Sequence, residues 1–165
     1  MSVTNGFLRL LPGQLAALLT DAVAFESRCR DYTHTDYLDM DKAGYELLFI
    51  LDPSSIEYDN PNAEKPFPAI SAVLSGGETV HQGVDLGYSP AKLIDEHAIS
   101  DAVSEISGLT LQEVTSTALE SELLPEVLMC DLDAELIEEY HWPHLQGLAA
   151  FLREAQKNGM AVLRY

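Results

Sequence analysis

The stretch from Asp95 to Glu139 holds thirteen carboxylates and no Lys or Arg, and neither residue occurs anywhere between Lys92 and Arg153. Such a segment cannot be buried, because an ionised carboxylate taken out of water without a partner is strongly disfavoured. Its apolar residues must lie on one side of regular elements and its acids on the other. The spacing allows this. Asp95 to Ile106 reads as a helix ended by Gly108. Thr110 to Leu119 reads as a second, with Leu111, Val114 and Ala118 three and four apart. Asp131 to Tyr140 reads as a third, with Leu132, Leu136 and Ile137 inward. Charge divides the chain unevenly: residues 1–30 carry +1, 31–94 carry −8, 95–139 carry −13 and 140–165 carry +2, for a total of −18. The two ends are expected to pack together, with the acidic segment forming an outer face.

The rest of the chain supplies those ends. Val3 to Leu10 reads as a short strand, and Met160 to Tyr165 as a terminal strand after an Asn158-Gly159 helix stop. Pro12 suits a first helical turn, and Leu15, Leu18, Leu19, Ala22, Val23 and Phe25 follow at helical spacing. Asp31 to Asp36 is turn-like. Asp39 or Asp41 is expected to cap a helix over Lys42 to Leu51 that ends at Asp52-Pro53. Ser55 to Pro68 is the clearest irregular stretch, Ala69 to Leu74 is a short apolar helix closed by Gly76-Gly77, and Gly83 to Pro90 is a strand or extended loop. Pro143 is expected to start the last helix, with Leu145, Leu148, Ala149 and Leu152 as its stripe. These elements predict an α+β fold: one domain over 1–165, mostly helical, with a small sheet that includes the N- and C-terminal strands. A chain of 165 residues buries roughly 70% of its unfolded surface, enough for a core without staples.

Few residues suggest chemistry. His141 and His144 have the i, i+3 spacing of a helical metal pair, but Pro143 between them is expected to spoil that geometry. Asp131-x-Asp133-x-Glu135 resembles the start of a calcium loop, yet Leu136 stands where glycine is needed. Ser75-Gly76-Gly77-Glu78 lacks the Lys-Ser/Thr of a phosphate loop. Cys29 and Cys130 are far apart and are read as independent thiols in a reducing compartment. No metal, cofactor or catalytic residue is expected, and enzyme activity has no positive support from motifs. Tyr32, Tyr37, Tyr45, Tyr58 and Tyr88 are read first as rings covering the core edge and second as contact residues.

The nine Lys and Arg residues are scattered, which argues against nucleic-acid binding. No apolar run approaches ~18 residues, which argues against a membrane span. Met-Ser-Val-Thr-Asn-Gly6 has no basic or apolar leader character, so a cytoplasmic location is expected.

Leu38-Asp-Met-Asp-Lys-Ala43 followed by Leu47-Leu-Phe-Ile-Leu51 resembles the "LDxDKAW…HFLL" block of the YfbM-like family, a bacterial domain of unknown function. Pro68 to Gly77 is similar to its "PLSxAVLGG" block, Asp85 to Lys92 to its "DLGYGPAR" block, Leu123-Leu-Pro125 to its "IYP" turn, and Phe151 to Tyr165 to its closing helix and strand. The resemblance covers nearly the whole chain in order and implies an α+β fold. It departs at two places: Gly44 replaces the family's tryptophan and Leu48 its histidine, so a site built on those side chains would be missing here.

Two functions from different classes are expected. In the first the chain is non-catalytic, and its acidic face docks a cationic protein, concretely as an immunity protein against a basic toxin; mimicry of DNA by the carboxylates is a variant. The face would be Glu113, Glu120, Glu122, Glu126, Asp131, Asp133, Glu135, Glu138 and Glu139. In the second, a small-molecule site or enzyme pocket lies near Asp39, Asp41, Lys42, Tyr45 and Tyr88, on the family blocks.

Overall fold

A computed structural model describes residues 6–52, 56, 66–84, 86 and 89–165. Among them, short strands build one antiparallel sheet in the order β2-β1-β5-β4-β3, from β1 (Gly6–Leu10), β2 (Tyr37–Asp39), β3 (Glu78–Thr79), β4 (Lys92–Ile94) and β5 (Ala161–Arg164). The terminal strands are neighbours at its centre, with Leu8 opposite Leu163 and Leu10 opposite Ala161. The fold is α+β, with helix outweighing strand, as the sequence predicts.

Side chains on a strand alternate between faces, and here both faces are covered. Phe7, Val162 and Ile94 enter the larger core, while Leu8, Leu10 and Leu163 enter a smaller one with Phe25 and Cys29. The larger core is closed by α3 (Ala43–Leu51), α4 (Pro68–Ser75), α5 (Glu96–Gly108) and α6 (Leu111–Glu120), with the short α7 (Leu124–Leu128), Ile137 just after the one-turn α8 (Ala134–Leu136), and the long α9 (Trp142–Lys157). The smaller core is covered by α1 (Pro12–Leu19) and α2 (Ala22–Cys29). Arg164 is buried and donates from Nη2 to the carbonyls of Ser75 and Gly76 at 3.0 and 3.3 Å, satisfying the open C-terminal end of α4. Gly77 has φ 108°, and a Cβ there would come within 2.9 Å of the Leu93 carbonyl, so glycine lets the chain pass close to β4.

Several local expectations are corrected. The apolar spacing from Pro12 to Phe25 is two helices, because the Asp21 carboxylate accepts from the Val23 and Ala24 amides at 3.1 and 3.0 Å and starts a new one. Asp39 and Asp41 do not cap α3, whose N-cap is Lys42 with no side-chain bond. The Asp39 carboxylate instead accepts the Asp41 amide at 2.8 Å. Pro143 stands in the first turn of α9, as expected, but no loop precedes that helix: α8 runs into it through a π turn at Ile137–His141, where the Trp142 amide reaches back five residues to the Ile137 carbonyl. In a regular α-helix the Pro143 ring would press on the Glu139 carbonyl and leave it without a donor; the wider turn removes the conflict. The strands β2, β3 and β4 and the helix α7 were not expected. Most of the irregular stretch Ser55 to Pro68 lies outside the described residues, as do Asp85, Gly87 and Tyr88 of the extended segment.

Candidate functional site

The acidic face is built by the inward residues of the same segment. Val114 and Ala118 on α6, Leu124 on α7 and Ile137 in the π turn are buried and anchor their elements. All nine acids expected on the face are exposed. Two have local work. Glu113 accepts from the Thr110 amide at 2.8 Å and the Thr110 hydroxyl at 2.7 Å, closing a capping box at the start of α6. Asp133 accepts the Leu136 amide at 2.8 Å and caps α8. Among the described residues Glu120, Glu122, Glu126, Asp131, Glu135, Glu138 and Glu139 have no cationic or hydrogen-bonding side-chain partner.

The two bonds from Thr110 hold the Glu113 carboxyl below its ordinary 4.5. A carboxyl lowered in the folded state stabilises it above its unfolded value, and that contribution fades as pH falls through the folded value. Glu113→Gln is therefore expected to lower the melting temperature by a few degrees at neutral pH, with the gap from wild type closing under acid. A gap that stays constant from pH 7 to pH 3 in paired melts would rule out the ionised cap.

The same stretch exposes apolar side chains that sequence reasoning missed. Leu119, Leu123, Val127 and Met129 are 50%, 44%, 36% and 90% exposed. The Val127 amide bonds the Leu123 carbonyl at 3.1 Å, which puts these two on one face of α7. Met129 follows in the left-handed region, at φ 54°. The available signal was that Leu123-Leu124 and Val127-Leu128 offer two adjacent apolar stripes, of which one short helix can bury only one.

A second cluster joins the start of α3 to the π turn. His141 is fully buried, and its Nε2 meets Glu46 Oε2 at 2.9 Å while its Nδ1 has no partner. The Tyr140 hydroxyl donates to Asp41 Oδ2 at 3.0 Å, and Asp41 has φ 46°. His144 Nδ1 lies 2.7 Å from the Tyr140 carbonyl; a carbonyl only accepts, so Nδ1 carries the proton. The two histidines thus turn to different partners and do not form a metal pair, and among the described residues no group of three or more metal-ligating side chains converges. Burial, then the bond to Asp41, pushes the Tyr140 phenol up to about 12. Burial, then Glu46 and Asp131, raises the Cys130 thiol, so it is protonated at neutral pH. Groups that hold their protons this firmly make a poor nucleophile and a poor base. The cluster is a latch between α3 and the π turn.

Asp39, Asp41, Lys42 and Tyr45 are exposed around that latch and Tyr88 lies outside the described residues. The carboxylates of Asp39 and Asp41 are already engaged as described, and the Tyr45 ring packs edge-on to Phe49. A groove of about 590 Å³ lies elsewhere, between α1, the end of α4, β4 and the start of α5, with Leu15, Gly77, Glu78, Leu93, Asp95 and Met160 in its wall. Of the other tyrosines, Tyr37 on the edge strand β2 packs its ring against those of Tyr32 and Tyr165. Both cysteines are free thiols, and no described helix is long and apolar enough to cross a membrane.

A small antiparallel sheet with β1 and β5 side by side at its centre, wrapped by helices, defines the class of domain. The chain belongs to the family described as Domain of unknown function (DUF1877), whose model matches residues 1–165. It is similar in fold to the crystal structure of a protein of unknown function, YfbM from Escherichia coli, with a TM-score of 0.65 and 15% identity over 98% of each chain. No curated protein matches it.

Proposed function

We propose that the chain is a non-catalytic binding protein whose acidic face docks a cationic protein. The observation that carries this is the run of eight exposed carboxylates from Glu120 to Glu139 without a described counter-ion, in a region free of Lys and Arg. Such a surface raises the local concentration of a basic partner and speeds encounter. In its concrete form the partner is a basic toxin that acts on nucleic acid, and the chain is its cytoplasmic inhibitor. Proteins that grip phosphate backbones carry the complementary charge.

The test uses the full chain as bait in native lysate at low salt, followed by purified partner. A basic protein released by moderate salt, and bound at least tenfold more weakly by the Glu135→Lys/Glu139→Lys variant, supports the reading. A dissociation constant unchanged between low and physiological ionic strength overturns it.

A further inference from the structure

Four of the nine large apolar side chains most exposed among the described residues fall within the eleven residues from Leu119 to Met129, a concentration in one short stretch of the chain. They alternate in sequence with Glu120, Glu122, Glu126 and Asp131, all exposed. Leu124 and Leu128 turn the other face of α7 to the core, so the helix is held in place while Leu123 and Val127 face outward. An acidic surface kept only for solubility has no use for a methionine 90% exposed.

Resting on the charge-docking reading above, we infer that α7 and the end of α6 form the anchor of the interface and receive a basic amphipathic helix. Its apolar stripe covers Leu119, Leu123, Val127 and Met129, and its flanking Lys or Arg side chains meet Glu120, Glu122, Glu126 and Asp131. Charge complementarity selects this occupant. A second copy of the chain would bring the same carboxylates face to face and be repelled, and a purely polar cation would leave the apolar cluster in water. Unbranched Met129 can adjust to differently shaped apolar faces. Recognition then has two parts: acids that steer and a small apolar centre that sets residence time.

Two synthetic peptides of equal length and charge test this by titration calorimetry at physiological salt. One is an amphipathic Leu/Lys helix, and the other has its leucines replaced by serine. The amphipathic peptide is expected to bind at least about tenfold more tightly. Leu123→Ser and Met129→Ser are each expected to remove most of that advantage while leaving the serine peptide's affinity and the melting temperature unchanged. Equal affinity of the two peptides, or variants without effect, overturns the apolar anchor and leaves charge docking standing. Absence of binding by both peptides overturns the anchor and the charge reading together. A dimer in sedimentation that Met129→Ser abolishes also overturns it, because a second copy would then be the occupant.

Discussion

Replacing His141 by alanine is expected to lower the unfolding free energy by about 3 kcal/mol. The imidazole is fully enclosed between α3 and the π turn, so truncation leaves a cavity. It also strips Glu46 Oε2 of a 2.9 Å partner in a half-buried place. These two losses can be separated. His141→Leu restores most of the volume but not the bond, and should recover about half of the loss. The double variant Glu46→Leu/His141→Leu removes both polar groups and should lie within about 1 kcal/mol of wild type, since an apolar pair of similar shape needs no hydrogen bond. Urea melts of these proteins, with the single variant Glu46→Leu added to close the cycle, give the coupling energy. If the alanine variant melts like wild type, the latch is dispensable and the packing of α9 on α3 must rest on other side chains.

Alkali should unfold the protein cooperatively between about pH 10 and 12. Burial pushes the Tyr37 phenol up to about 12, with Asp39 and Tyr32 adding to it. Tyr140 is also raised to about 12, Tyr165 is driven higher still by burial, and burial takes the Cys29 thiol to about 12. In the unfolded chain these groups return to their ordinary 10.0 for phenols and 9.0 for the thiol. An acid whose folded value is raised stabilises the fold below its unfolded value, and that contribution is lost as pH climbs towards the folded value. Each well-buried group forfeits up to about 1.4 kcal/mol per pH unit, and the more exposed Tyr37 and Tyr140 forfeit less. The combined loss reaches the ~5–15 kcal/mol that a domain has to give. Tyrosinate absorbance should rise in a delayed step that coincides with the loss of helical circular dichroism. Tyr165→Phe should move that step to higher pH, since the Tyr165 hydroxyl has no hydrogen-bond partner and its removal costs little. Phenols that titrate smoothly near pH 10 with the helices intact would show that the rings are not sealed.

What the sequence discloses depends on how local the cause is. The terminal strands were legible because Phe7-Leu8 and Val162-Leu163 are short apolar runs and Asn158-Gly159 stops the helix before one of them. Helices α5, α6 and α9 were legible because their stripes and caps are contained within them. By contrast, β2, β3 and β4 have two or three residues each and exist through pairing with a neighbour, so no period could reveal them. The break between α1 and α2 was hidden because Asp21 sits inside an unbroken helical spacing. Pro143 marked the start of α9, as proline usually does, but the π turn that joins it to α8 was not legible. Of the candidate site, the acids were plain, since charge without counter-charge can only face water. The apolar centre was not, because Leu119, Leu123 and Val127 have the spacing of a core stripe. The bond between Glu46 and His141 joins positions 95 residues apart, and nothing local announces it.

Pairing β1 with β5 sets a schedule for biosynthesis. The first strand begins at residue 6 and its central neighbour at residue 161, so the strand made first waits for the one made last. At about 5–20 residues per second the wait is roughly 8–30 s. Through that interval Phe7, Leu8 and Leu10 have only the three-residue β2 to pair with, and one edge of β1 stays open on the nascent chain. Helices α5 and α6 can form meanwhile, but the sheet they cover cannot close. The vulnerable species is therefore a chain halted shortly before Ala161, with helices in place and β1 paired along one edge only.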